Sequence, residues 1–268
     1  MIPVVLHHGL FGFGNLAVGP LRIRYFAGGI ERAIADRGHP LIVGRAHPTG
    51  PIELRARQLK ELINRQLGIL GLPDHRVIIL AHSMGGLDAR YMISRLGMAD
   101  RVTALVTLST PHHGSSYADW VVRNLGDRLG GRKLAAALGL DLRAIADLTT
   151  DAVKRFNDEV RDASAVRYFS VSACRPRSAV PAFLQHSHAI VFRHEGENDG
   201  VVSIVSAKWG EHLGTWPVDH LHLINKRTTP QTLLGGQDVA PRYVAILENL
   251  ARRGIIPGPL REKGHNRV

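Results

Sequence analysis

Short apolar runs rich in β-branched residues alternate along the chain with longer stretches whose apolar residues recur at helical spacing. The short runs predict strands at Val4–His7, Leu41–Arg45, Val77–Ala81, Val102–Leu108, Tyr168–Ser172 and Ala189–Phe192. The longer stretches predict helices at Tyr25–Arg37, from Pro51 to Leu67, from Gly86 to Leu96 and at Pro241–Arg253. This order predicts an α/β fold with a mostly parallel central sheet flanked by helices.

One segment departs from this alternation, because helical patterning continues from Ser115 to about Val160 without an obvious strand. Glycines at 126, 130, 131 and 139 interrupt its apolar positions. We therefore predict a helical insertion over 115–160, which is either a mobile lid above an apolar site or a set of ordinary cap and core helices. No repeat or low-complexity linker divides the chain, so residues 1–268 are predicted to form a single domain.

The junction between the third predicted strand and the helix after it carries the pentapeptide Ala81-His82-Ser83-Met84-Gly85. A small-x-Ser-x-Gly sequence at such a junction is typical of the nucleophile elbow of the α/β-hydrolases. The sharp turn requires small residues at 81 and 85, exposes the Ser83 hydroxyl and aims the first helical amides at the reacting centre. The pentapeptide alone arises by chance in roughly one chain in ten of this length, so the flanking strand and helix carry the prediction.

Composition sets the class of protein. A chain of 268 residues with 44% hydrophobic content can bury a sizeable core, and no apolar run approaches the length of a membrane span. Met1 leads directly into the first predicted strand, which predicts a cytoplasmic protein or a mature form whose leader was replaced. Cys174 is the single cysteine, so no intramolecular disulfide can form.

The charge balance is basic, with 34 Lys and Arg against 23 Asp and Glu, a net charge of +11 and a pI near 10.5. These residues are spread along the chain, and only the tail Arg261–Arg267 is clustered. No nucleic-acid motif accompanies them, so a solvated basic surface is favoured and no nucleic-acid partner is expected.

A serine nucleophile needs a base, and the base needs a carboxylate that fixes its tautomer and stabilises its cation. In α/β-hydrolases these partners follow the serine in the order acid, then histidine. Asp199 lies before a glycine, just beyond a predicted strand, and is the candidate acid, unless it is a plain turn residue. His220 and His222 both follow closely, and spacing alone does not choose between them.

Two backbone amides are expected to form the oxyanion hole. One belongs to Met84 and the other to Leu10, in the loop after the first predicted strand. Phe11, Phe13 and Leu16 beside that loop either line an acyl pocket or belong to the core.

The chain resembles the bacterial true lipases (family I) of the α/β-hydrolase fold through several motifs in one order. These motifs are His8–Phe13, Ala81–Gly86, Leu108–Ser115, Ala152–Asn157, Asn198–Val202 and His220–Asn225. The resemblance implies Ser83 as nucleophile, Asp199 as acid and His220, rather than His222, as base.

The chain also departs from this family. Members commonly bind a structural calcium through an Asp two residues after the catalytic histidine, where this chain has His222. The segment 182–187, expected to supply a second Asp, has none. Calcium requires carboxylate and carbonyl oxygen ligands, so no such calcium site is expected. No other metal and no cofactor is expected either. The disulfide of some members is also impossible with one cysteine.

Other polar residues receive structural interpretations. The adjacent pairs His7-His8 and His112-His113 are expected to point to opposite faces, without a Cys or carboxylate at zinc-ligand spacing. His82 is interpreted as a packing residue beside the nucleophile or as a support for it. Asp88 and Arg90 are interpreted as a structural ion-pair set.

Taken together, these features predict a carboxylic ester hydrolase that cleaves acylglycerols at a lipid–water interface through an acyl-enzyme. A short-chain carboxylesterase or polyester hydrolase uses the same chemistry and is the nearest alternative. A non-catalytic basic binding protein on the same scaffold is the alternative from another class. The sequence does not determine the oligomeric state.

Overall fold

A computed structural model describes residues 1–12, 15–18, 21–126 and 142–257. Its strands are β1 (Val4–His7), β2 (Asn15–Val18), β3 (Leu21–Arg24), β4 (Leu41–Val43), β5 (Val77–His82), β6 (Val102–Leu108), β7 (Arg167–Ala173) and β8 (Glu211–Trp216). Its α-helices are α1 (Ile30–Ala35), α2 (Ile52–Ile69), α3 (Gly85–Arg95), α4 (Ser116–Val121), α5 (Leu142–Ala146), α6 (Thr150–Glu159), α7 (Gln185–Glu195), α8 (Ile204–Ala207), α9 (Pro230–Gly235) and α10 (Ala240–Arg252).

The central sheet has the order β4-β1-β5-β6-β7-β8, and each neighbouring pair runs parallel. Its inner strands are almost entirely apolar because helices cover both faces. Leu6, Leu80 and Val106 pack toward α1 and α10, whereas Val5 and Ile79 on the opposite face pack toward α2 and α3. The predicted α/β architecture with a mostly parallel sheet is therefore confirmed.

The structure corrects one predicted strand. Ala189–Phe192 lies within helix α7, where Val191 is buried and Phe192 is 57% exposed. A run of four apolar residues fits a helix as well as a strand, and the polar residues around it belong to the same helix. The segment before Asp199 is consequently a helix and a loop.

Other predicted helices and strands differ from the observed ones for local reasons. The helix predicted from Tyr25 begins only at Ile30, because Gly28 and Gly29 have φ values of 55° and 85° that no α-helix accommodates. Strand β8 was missed because its sequence, Glu-His-Leu-Gly-Thr-Trp, is polar and contains a glycine. The antiparallel pair β2–β3 was also missed.

The described parts of the 115–160 segment are helical. They comprise α4, the π-helical turn Val122–Gly126, α5 and α6, whereas residues 127–141 lie outside the described part of the chain. The single domain and the lid over 115–160 stay predictions. Within the described ranges, no helix is long and apolar enough to cross a membrane.

Candidate active site

The elbow predicted around Ser83 has the required backbone geometry. Ser83 follows β5 with a φ of 56°, a left-handed conformation that L-residues rarely adopt. Two hydrogen bonds hold it there, from Ser83 N to the Leu108 carbonyl at 2.9 Å and from Thr110 Oγ1 to the Ser83 carbonyl at 2.6 Å. A Cβ atom on Gly85 would lie 2.7 Å from the His8 carbonyl oxygen, so the turn excludes larger residues there.

The three predicted catalytic side chains lie together. His220 Nε2 is 3.0 Å from Ser83 Oγ, and His220 Nδ1 is 2.7 Å from Asp199 Oδ2. A carboxylate at Nδ1 requires that nitrogen to donate, which leaves Nε2 as the acceptor for the Ser83 hydroxyl. This tautomer is the one that a histidine base needs.

The loop around Asp199, the candidate acid, holds its side chain from several directions. Its side chain is fully buried, and Oδ1 accepts hydrogen bonds from the amides of Val201 at 3.0 Å and Val202 at 2.8 Å. The His220 amide donates to the Asp199 carbonyl at 2.9 Å, which links the loop that carries His220 to the loop that carries Asp199. The isolated bridge between Asn198 and Ser203 closes the loop at its base.

The loop after β1 approaches Ser83 closely. A Cβ atom on Gly9 would lie 2.6 Å from Ser83 Cβ and 3.1 Å from Ser83 Oγ, so only glycine permits this contact. Leu10 follows directly, and its side chain packs against the apolar cluster that contains Met84. Among the described residues, no acceptor is bonded to the amide of either Leu10 or Met84.

The structure places one of the three candidate pocket residues. Phe11 has a φ of 56° and is 52% exposed, which is incompatible with a core role for that side chain. Phe13 lies outside the described residues. Leu16 belongs to β2, and its side chain is not described.

Arg55 was missed by the sequence analysis. It is fully buried, and it donates to the carbonyl oxygens of His8 at 2.7 Å, Gly9 at 3.3 Å and His47 at 2.6 Å. Its Nε donates to Asp88 at 2.8 Å. An arginine among the polar residues of an amphipathic helix gives no sign that it braces a loop 46 residues earlier.

Asp88 and Arg90, interpreted as a structural ion-pair set, both form ion pairs, but with other residues and not with each other. Asp88 accepts from Arg55, and from His7 Nε2 at 2.9 Å. Arg90 instead lies 3.6 Å from Asp162. Burial lowers the pKa of Arg90 to about 10.

Arg90 also contacts an aromatic ring and a side-chain amide. Its guanidinium lies 3.6 Å from the centroid of the Trp209 ring, and it donates to Asn157 at 2.8 Å. Asp88 and Arg90 therefore both anchor helix α3, each through different partners.

The first histidine pair does not point to opposite faces as predicted. The rings of His7 and His8 are both buried, with centroids 5.4 Å apart, because β1 ends at His7 and the chain turns. Burial lowers the pKa of His8 to about 3, and its ring donates through Nδ1 to the Gly9 carbonyl at 2.9 Å. His8 therefore braces the loop as a neutral side chain.

At the position where the resembled family carries an Asp, this chain has His222, which makes a structural contact. His222 is buried, and its Nε2 donates to the Gln237 carbonyl at 2.7 Å. Within the part of the chain that the structure describes, no group of three or more His, Cys, Asp or Glu side chains converges as a metal site.

Comparison with known proteins identifies the family. The PGAP1-like alpha/beta domain family matches residues 51–204, which include Ser83 and Asp199. Triacylglycerol lipase 2 of Saccharomyces cerevisiae is 32% identical over 249 residues, which cover 87% of this chain and 75% of the yeast protein. The chain belongs to the triacylglycerol lipase family. A triacylglycerol lipase of Pseudomonas fragi is 29% identical over 83% of this chain and 87% of that protein.

Solved lipase structures share the fold. The mature Bacillus licheniformis lipase BlEst2 matches with a TM-score of 0.70 at 22% identity, over 92% of this chain and 91% of that one. Staphylococcus hyicus lipase matches with a TM-score of 0.73 at 16% identity, over 94% and 95% of the two chains. At these identities the likeness shows the α/β-hydrolase fold alone. Together with the lipase-family membership, it makes this protein an ester hydrolase.

Proposed function

We propose that this lipase-family protein hydrolyses acylglycerols through an acyl-enzyme formed on Ser83. The observation that carries the proposal is the linear arrangement in which Ser83 Oγ contacts His220 Nε2 at 3.0 Å and His220 Nδ1 contacts Asp199 Oδ2 at 2.7 Å. Hydrogen-bond contacts of this length and order are what base-assisted attack by a serine requires.

In the acylation half, Ser83 Oγ forms a bond to the ester carbonyl carbon while its proton passes to His220 Nε2. Asp199 keeps the imidazolium oriented and stabilises its charge. The carbonyl oxygen becomes an oxyanion that accepts from the Leu10 and Met84 amides. The carbon–oxygen bond to the glycerol then breaks, and His220 gives its proton to the leaving alcohol.

Deacylation repeats these steps with water. His220 takes a proton from water, and the resulting oxygen nucleophile attacks the acyl carbon of the Ser83 ester. The same two amides accept the second oxyanion. When this intermediate collapses, the proton on His220 returns to Ser83 Oγ and the fatty acid leaves, so the enzyme is restored.

Replacing the nucleophile tests the chemistry. We expect Ser83→Ala to abolish hydrolysis of p-nitrophenyl esters and of emulsified triacylglycerol, because no other hydroxyl is bonded to His220 Nε2 among the described residues. Ser94→Ala, on helix α3 that follows Ser83, is the matched control and should retain wild-type turnover. Wild-type hydrolysis by Ser83→Ala would refute the assignment.

The substrate class is tested by rates over a series of acyl lengths, below and above the solubility limit of each substrate. An acylglycerol lipase should accelerate once emulsified substrate appears. A smooth dependence that peaks at short, soluble chains would replace the lipase assignment with that of a short-chain esterase. Depolymerisation of a polyester without triacylglycerol cleavage would likewise replace the lipase assignment with that of a polyester hydrolase.

A further inference from the structure

A chain of hydrogen bonds joins the loop that carries the proposed oxyanion donor to the loop that carries the proposed base. The Gly9 amide donates to the Tyr25 hydroxyl at 3.1 Å, and that hydroxyl contacts His82 Nδ1 at 2.8 Å. On its other side the same imidazole contacts the carbonyl oxygen of His220 through Nε2 at 3.0 Å. His82 also directly precedes Ser83, so these hydrogen bonds connect the loop after β1, the elbow at Ser83 and the loop that carries His220.

The direction of each hydrogen bond follows from the acceptor at its end. A carbonyl oxygen can only accept, so His82 Nε2 carries the hydrogen and donates to His220. In a neutral imidazole Nδ1 is then the acceptor, and the Tyr25 hydroxyl donates to it. That hydroxyl oxygen also accepts from the Gly9 amide. All the polar groups in this series of hydrogen bonds are therefore satisfied, and only one assignment of donors and acceptors satisfies them.

The surroundings keep this arrangement fixed. Tyr25 is 6% exposed and His82 is 1% exposed. Burial, followed by the nearby His220, lowers the pKa of His82 well below its usual value, and burial raises the pKa of Tyr25 to about 12. Both side chains therefore stay neutral over the range in which esterases work. The rings of His82 and His220 are also in contact, with centroids 4.5 Å apart.

We propose that Tyr25 and His82 are positioning residues that set the distance between the Leu10 amide and the His220 imidazole. The inference rests on the proposed function, because the hydrogen bonds at Gly9 and at His220 matter to catalysis only if Leu10 and His220 act as assigned. The reacting carbonyl has to fit between its oxyanion donors and the base, and small errors in such spacing cost large factors in rate. Buried hydrogen bonds at both ends restrict that spacing.

The test compares kcat per active site in Tyr25→Phe, His82→Leu and the double variant. Active sites are counted by titration with a p-nitrophenyl phosphonate ester, so that loss of folded protein does not enter the rate. Each single change should lower kcat about tenfold, a loss between that of one neutral buried hydrogen bond and that of a deleted oxyanion donor. KM should change less than threefold. The double variant should be no slower than the slower single variant, because either change breaks the same chain.

Two matched controls separate positioning from packing. The Tyr168 hydroxyl accepts from the Ala163 amide at 3.0 Å, and His39 Nδ1 donates to the Ile2 carbonyl at 2.9 Å. Tyr168→Phe and His39→Leu remove comparable hydrogen bonds away from the site. They should lower the melting temperature as much as the test variants do and keep wild-type kcat per site.

The outcomes distinguish the two proposals. A wild-type protein without turnover, or an active Ser83→Ala variant, refutes the proposed function. If wild-type hydrolysis depends on Ser83 but Tyr25→Phe keeps wild-type kcat per site, the positioning role is wrong and the proposed function stands. Multiplication of the two single effects in the double variant also overturns it, because independent supports would act additively in free energy. Tyr25→Phe retains the aromatic ring, so the test holds even if His82→Leu fails to fold.

Discussion

Two aspartates in neighbouring loops have the same local hydrogen bonds but different surroundings. Asp199 Oδ1 accepts from the amides two and three residues later, and Asp219 Oδ1 does the same, with Leu221 and His222 at 3.0 Å each. The second oxygen of Asp199 meets His220 Nδ1 at 2.7 Å. The second oxygen of Asp219 is buried without a hydrogen bond and lies 3.8 Å from Arg175 Nη1. A shared turn geometry fixes each carboxylate, and the partner of its second oxygen decides its role.

The largest effect should come from exchanging these carboxylates for amides. Asp199→Asn is expected to lower kcat about 10⁴-fold, because an amide does not enforce the required tautomer of His220 or stabilise its cation. Asp219→Asn, in the matching turn, should stay within about tenfold of wild type. Steady-state rates with a soluble p-nitrophenyl ester measure both. An equal loss in the two variants would remove the distinction between the loops.

A smaller effect is expected on stability when Arg175 is changed. Arg175→Gln leaves the buried Asp219 carboxylate without its cation and should lower the free energy of unfolding by about 1–2 kcal/mol, a reduced figure for a partly exposed arginine at a long distance. Urea denaturation measures this loss. Adding Asp219→Asn to Arg175→Gln should recover most of it, since the buried charge is then gone. Additive losses in the double variant would show that the two residues do not interact.

The smallest effect is a pH dependence. Burial raises the pKa of Asp219 above its ordinary value, against the opposing effects of the His222 amide and ring, the Leu221 amide and the Arg175 guanidinium. Between the unfolded pKa of about 4 and the raised folded pKa, the folded protein binds more protons than the unfolded chain. The stability that protonation of Asp219 contributes to the folded protein is therefore lost as pH rises through that window.

We expect Asp219→Asn to gain stability relative to wild type over the same pH range. Urea unfolding of both proteins in steps from pH 3 to pH 7 measures the difference. If the difference in the free energy of unfolding did not change with pH, Asp219 would titrate alike in the folded and unfolded states. If the variant gained stability toward acid pH instead, the expected sign would be wrong.

The sequence was most informative where function depends on local geometry. The elbow at Ser83, the glycine at 85 and the loop that carries Leu10 are each set by a few neighbouring residues, so a motif is enough to predict them. The order of acid and base followed from the fold, and the resemblance to lipases favoured His220 over His222, the choice with which the contact to Ser83 agrees.

The parts that the sequence could not predict depend on distant contacts. Nothing near Arg55 indicates that it braces Gly9, and nothing near Tyr25 indicates that it meets His82. The apolar run at 189–192 fits two periodicities, and only its packing in α7 decides between them. Strand β8 forms because β7 offers it a parallel edge, whereas its own residues favour strand only weakly.

The order of strands across the sheet has a consequence for synthesis of the chain. Strand β1 lies between β4 and β5, so during synthesis it waits for residues 41–43 and 77–82 before both its edges are paired. The proposed nucleophile is present soon afterwards, but its acid and base follow more than a hundred residues later. A nascent chain can therefore pair strands β1 to β7 before Asp199 and His220 are synthesised, and the proposed hydrolysis has to wait until both residues have reached Ser83.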